Sequence, residues 1–140
     1  MTAQRSMTRE HTIVIFDGVC TLCNHTVDFL MRHDPSGEVR FASFQSPIGT
    51  QLLAEHGVVG PPTTVYVITR TNTLLVESEA MIHLGTLIGG PWALAARVIR
   101  VVPRGLRNSI YRWTSRNRYR WFGKRSTCRV PTPEERSRFL

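Results

Sequence analysis

An α/β fold, with a mixed β-sheet flanked by helices and a basic helical extension, is predicted for this chain by three observations. A short run of β-branched and aromatic residues, Thr12–Phe16, is followed closely by a helical pattern, and strand-type and helix-type runs then alternate up to Gly90. Beyond Gly90 the pattern is helical only. The charge changes at nearly the same place: residues 1–96 carry five Arg against eight acidic residues, a net of −3, whereas residues 97–140 carry thirteen Lys and Arg against two Glu, a net of +11.

The elements follow in order. Thr12–Phe16 lacks the polar alternation of a half-exposed strand, so it reads as a buried central strand ended by Asp17-Gly18. From Cys20 the apolar positions Cys23, Val27, Leu30 and Met31 recur at helical spacing until Asp34-Pro35-Ser36-Gly37 stops them. Residues 39–44 form a second strand, and Ser46 caps a helix whose first position suits Pro47, ending near His56-Gly57. After Gly60-Pro61-Pro62 comes a strongly strand-forming run, a turn at Thr71-Asn72 and a short run over residues 74–77, together a hairpin. Ser78 is expected to cap the next helix, with Met81, Leu84 and Ile88 inward and Gly89-Gly90-Pro91 at its end. Two helices follow, over residues 92–102 and from Leu106 to about Trp121. The order β-α-β-α-β-β-α is the thioredoxin arrangement, with the cysteines at the carboxyl end of a central strand, where α/β proteins place their sites. Residues 1–11 are expected to be a flexible N-terminus, 12–90 the thioredoxin-like core and 91–140 a basic extension packed on it, a single domain overall.

Composition narrows the class. A chain of 140 residues with 41% hydrophobic content suits one domain with a real core. No run reaches the ~20 apolar residues of a membrane-spanning helix, because Arg97 and Arg100 interrupt the longest candidate. The first residues are polar and lack the apolar centre of a secretory signal, so the expected address is the cytoplasm. Three cysteines do not make a disulfide framework, and a close pair in a reducing compartment points to redox exchange or metal binding.

Cys20 and Cys23 stand three positions apart at a helix start, where amide N–H groups stabilise a thiolate and lower its pKa from ~8.5 toward ~7 or below. Cys20 is the expected attacking residue, facing solvent, and Cys23 the more covered resolving one. Asp17 has two open readings, a proton carrier during exchange or a bond to loop amides. His25 either tunes the thiolates or faces solvent. Pro62, directly before a strand, is the candidate substrate-binding residue: a cis form would leave the neighbouring backbone free to pair with a substrate chain, and the alternative is an ordinary strand-entry proline.

D-x-x-C-x-x-C after a hydrophobic strand, followed by V-D-F-L-M-R-H-D, resembles the DCC family of thiol-disulfide oxidoreductases. The resemblance continues through F-A-S-F-Q (41–45), S-E-A (78–80), the 90–92 segment, R-N-R-Y-R-W-F-G (116–123), Cys128 and R-F-L (138–140). It implies a thioredoxin-like fold, a redox role for Cys20 and Cys23, and Asp17 as third motif member. The reading of the chain as a whole is exchange through the two cysteines without a bound cofactor, on a thiol or disulfide substrate expected to be a protein. The thioredoxin signature W-C-G-P-C is absent, with Val19 and Thr21-Leu22 in its place, so the direction of electron flow does not carry over.

Leu106, Ile110 and Trp113 fall on one helical stripe, by which the last helix is expected to pack, while Arg107, Arg112, Arg116, Arg118 and Arg120 spread over the remaining surface. That basic face is expected to be a solvated cap on the core; the alternative is a surface for an anionic membrane, an acidic partner or nucleic acid, among which membrane ranks above nucleic acid. Cys128 is either a resolving or regulatory thiol or a small packing residue. The rival to exchange is a structural zinc site from Cys20, Cys23, Cys128 and His25, for which a lone CxxC supplies only half of the ligands; a third class is a noncatalytic interaction module using the basic tail.

Overall fold

Every residue of Thr12–Phe16 is buried, and this strand, β1, forms the interior of the sheet. The computed structural model describes residues 11–34, 37–58, 65–124, 132–133 and 135–139. β1 runs parallel to β2 (Val39–Ser43), with Val14 opposite Phe41. On its other side it runs antiparallel to β3 (Tyr66–Ile68), which turns at Thr71-Asn72 into β4 (Leu74–Val76). The order β2-β1-β3-β4 is the mixed, helix-flanked α/β sheet of a thioredoxin-like fold.

Strand pleating divides the core in two. Val14 and Phe16 point to the face covered by α1 (Thr21–Arg32) and α3 (Glu77–Ile88), where they meet Cys23, Val27, Leu30, Ala80 and Leu84. Ile13 and Ile15 point to the opposite face and meet Leu52 and Leu53 of α2 (Pro47–Glu55). The start of α2 is the one the sequence predicts: Ser46 Oγ accepts from the Gly49 amide at 3.1 Å, and Pro47 occupies the first turn. Gly49 is required there, since a Cβ would run into the Ser43 carbonyl oxygen.

The start of α3 corrects the expectation for Ser78. The helix begins at Glu77 after Val76 with no side-chain cap, and Ser78 is buried within the first turn. Its hydroxyl donates to Asn108 Oδ1 on α5 (Arg104–Phe122), a partner the sequence could not place beside it. Between them α4 (Gly90–Val101) packs closely on α3 at Gly85, where a Cβ would come within 3.3 Å of the Ala96 methyl group.

Helix α5 lies against α1 and α3, but not by its apolar stripe. Leu106, Ile110 and Trp113 are each 54% exposed. The inward side carries Arg107, Asn108, Tyr111, Ser115 and Arg118 instead, and the Arg107 and Arg118 side chains are almost fully buried. The physical reason is the set of groups this side meets. Arg107 pairs with Glu79 at 3.1 Å, Tyr111 Oη accepts from the Val65 amide, and Arg118 pairs with Asp17 at 3.2 Å. A carboxylate covered without such a partner would cost several kcal/mol, about as much as burying a whole apolar side chain gains. Charge pairing therefore sets the rotation of this helix. Further on, Phe139 returns to the core, its ring centroid 6.1 Å from that of Phe16 and 5.6 Å from that of Phe41.

Candidate functional site

Cys20 is itself the N-cap of α1. Its extended backbone (φ −79°, ψ 123°) places Sγ where a serine oxygen would cap, and the Cys23 amide donates to it at 3.4 Å. The loop before it is closed from within: the Cys20 amide donates to the Asp17 carbonyl at 3.2 Å, and Asn24 Nδ2 donates to the carbonyls of Gly18 (2.9 Å) and Cys20 (2.8 Å). These bonds hold Cys20 and Cys23 as a close pair on the first turn.

The two sulfurs differ in acidity. Hydrogen bonding from the Cys23 thiol, helped by the Cys23 amide and the charge of Arg118, outweighs burial and the charge of Asp17, lowering Cys20 to about 6. The same bond, with burial, pushes Cys23 well up. At neutral pH the pair therefore holds one proton, on Cys23, and one thiolate, on Cys20.

Asp17, itself buried, sits at the centre of a hydrogen-bond network. Oδ1 accepts from the Val19 amide (3.2 Å) and Gln45 Nε2 (3.0 Å), while Oδ2 accepts from Arg118 Nη2 (3.2 Å) and the Tyr119 hydroxyl. Burial alone would raise this carboxyl, but the bonds from Tyr119, Gln45 and Val19 and the charge of Arg118 outweigh it and hold it below the usual carboxylate range. Burial and the bond to Asp17 raise the Tyr119 phenol, which keeps its proton. Gln45 Oε1 in turn accepts from the Gly18 amide at 3.0 Å, so one amide side chain ties the loop to Asp17.

The end of α5 also covers the pair. The Thr21 amide donates to the Gly123 carbonyl at 3.3 Å, and Cys20 forms an isolated antiparallel bridge with Lys124. Cys20 is 0% exposed and Cys23 is 7% exposed, which corrects the expectation that the first cysteine faces solvent. The reason is this long-range pairing, which brings backbone from more than a hundred positions away onto the helix start.

The model of the DCC1-like thiol-disulfide oxidoreductase family matches residues 14–124, a span that contains β1, both cysteines, Arg118, Tyr119 and the covering end of α5. The chain belongs to this family. A relative in Bacillus subtilis, the uncharacterized protein YuxK, is 36% identical over 91% of this chain and 93% of its own. A chloroplastic DCC family protein of Arabidopsis thaliana is 31% identical over 84% of this chain and 69% of its own. No solved structure matches.

Set against the DCC1-like signature, the structure brings Asp17, Cys20 and Cys23 together, while His25 stands exposed on another face of α1. Pro62 and Cys128 lie outside the described residues. Among the described residues no group of three His, Cys, Asp or Glu side chains is placed to hold a metal ion. Four neighbours of the cysteines have no role at the site predicted from the sequence: Asn24, Gln45, Arg118 and Tyr119. Asn24 carries a readable signal, a polar residue on the inward side of a helix between Cys20 and Val27. For Arg118 and Tyr119 the only signal is the R-N-R-Y-R-W-F-G stretch of the family resemblance.

Proposed function

We propose that the protein is a thiol-disulfide oxidoreductase that attacks through Cys20 and resolves through Cys23. The observation that carries this reading is the placement of Cys20 Sγ as the N-cap of α1, where it accepts from the Cys23 amide at 3.4 Å; this surrounding favours a thiolate on Cys20, lowered to about 6, and a retained proton on Cys23. In the reducing direction the Cys20 thiolate attacks one sulfur of a substrate disulfide. That S–S bond breaks, a mixed disulfide forms on Cys20, and the first substrate sulfur leaves as a thiolate and takes up a proton. Cys23 then gives up its proton and attacks Cys20 Sγ, releasing the second substrate thiol. The substrate gains two electrons and two protons while Cys20 and Cys23 become a disulfide, which an external dithiol must reduce again; oxidation of a substrate dithiol is the same sequence reversed.

Asp17 acts here as a positioning residue. Its carboxylate anchors Arg118 and Tyr119, and through Arg118 it maintains a positive charge near the attacking thiolate. Because Cys20 is covered, a substrate sulfur reaches it only when the Gly123-Lys124 backbone gives way, which favours an extended protein segment able to replace the Thr21 to Gly123 hydrogen bond. The test is a redox titration of purified protein in glutathione buffers, with free thiols alkylated and each cysteine read by peptide mass spectrometry. Cys20 and Cys23 are expected to convert together as one reversible two-electron pair, and Cys23→Ser to accumulate mixed disulfide on Cys20. Full exchange activity in Cys20→Ser would falsify the reading.

A further inference from the structure

We propose that the outward faces of α4 and α5 dock on an anionic lipid bilayer, with the helices lying in the headgroup layer. Because Arg107 and Arg118 turn inward to Glu79 and Asp17, the apolar stripe of α5 is left outward: Leu106, Ile110 and Trp113 follow one another at helical spacing, and Trp121 continues the line. The Trp113 and Trp121 rings stand edge to face with centroids 4.9 Å apart, and both are about half exposed. On α4 the same pattern recurs at Leu94, Val98 and Val101, which reach 84% exposure at Val101. An apolar line of this length on a soluble surface calls for a cover.

The charge on these helices identifies it. Arg97, Arg100, Arg116 and Arg120 are exposed and form no ion pair with a carboxylate among the described residues. The two carboxylates that α5 meets at the start of α3, Glu77 and Glu79, are already engaged by Arg112, Arg104 and Arg107. A second copy of the chain would therefore set unneutralised guanidinium groups against one another. A phosphate backbone would answer the charge but leave Leu94, Val98 and Ile110 in water. An anionic bilayer meets both demands, since its phosphates take the guanidinium groups while the aliphatic side chains and indole rings enter the interface. Neither helix is long and apolar enough to cross the membrane, so they lie on it.

Vesicle sedimentation of the full chain tests this, comparing phosphatidylcholine alone with phosphatidylcholine plus phosphatidylglycerol at low and high salt. Binding to the anionic vesicles is expected to be more than about tenfold tighter, to weaken with salt, and to shift tryptophan emission to shorter wavelength. Arg116→Gln and Arg120→Gln should each weaken it about fivefold. Leu106→Ser with Ile110→Ser should weaken it about tenfold or more while the circular dichroism spectrum is unchanged. Three results would overturn the proposal: equal or absent binding to both vesicle types, displacement from anionic vesicles by a lower concentration of duplex DNA, or a dimer that the Leu106→Ser, Ile110→Ser variant dissociates.

Discussion

Arg118 touches the Asp17 carboxylate at 3.2 Å and acts on both cysteines through its charge, so it faces one permanent anion and one that exists only in the reduced protein. Losing the side chain affects both. In Arg118→Met the alkylation midpoint of Cys20 is expected to move upward from about 6, with the rate at pH 6 falling about twofold to tenfold. The buried Asp17 charge is also left without its cation, at a cost of about 3 kcal/mol in urea unfolding. Arg118→Lys separates the two effects, since it keeps the charge and should keep the midpoint while still losing stability. Acidity also makes stability depend on pH. In the unfolded chain Cys20 stays protonated up to about pH 8.5, whereas in the folded protein it ionises near 6, so the reduced protein should gain stability relative to Cys20→Ser as pH rises between those values. Above that window the unfolded Cys23 loses its proton while the folded one retains it, and the gain turns over.

At the scale of elements, the sheet positions the site through close helix contacts. The Phe44 amide donates to the Phe16 carbonyl at 2.7 Å, and this continuation of the β1–β2 pairing leads into Gln45 and the cap of α2. Gly49 lets α2 descend onto the Ser43 carbonyl at that point. Gly49→Ala is therefore expected to lower stability by about 1–3 kcal/mol by overpacking, read from the midpoint of chemical denaturation. Because Gln45 precedes this helix and bonds both Gly18 and Asp17, the same substitution should also loosen the cysteine loop and raise the alkylation rate of Cys20 at fixed pH. Helix α5 illustrates how charge decides orientation. Its hydrophobic pattern alone puts Leu106, Ile110 and Trp113 inside, yet the pairing of Arg107 with Glu79 and of Arg118 with the buried Asp17 turns that stripe out.

Across the whole molecule, the C-terminal part completes the core rather than hanging beside it. Phe139 bridges in parallel to Phe41 and packs edge to face on Phe16, while Arg138 lies 3.6 Å from Asp34 at the end of α1. Phe139→Ala should cost about 2 kcal/mol, less than a fully buried phenylalanine because the residue is only partly buried. The basic charge of α4 and α5 is thus divided: Arg107 and Arg118 turn inward to Glu79 and Asp17, while Arg97, Arg100, Arg116 and Arg120 face outward.

Local sequence was enough for the buried strand Thr12–Phe16, the helix starts at Cys20 and Ser46, the β3–β4 hairpin and the cysteine pair, because each depends on residues within a few positions of one another. Local spacing also exposed the family, through its cysteine motif and flanking stretches. Which neighbours the cysteines have depends on long-range packing. Arg118 and Tyr119 are about a hundred residues from Asp17, and whether an arginine at such a distance meets solvent or a buried carboxylate depends on how a helix is rotated. The same rotation set Ser78 against Asn108, covered Cys20 with Gly123-Lys124 and exposed the stripe of α5, since pairing energies between distant charges outweighed the local hydrophobic pattern.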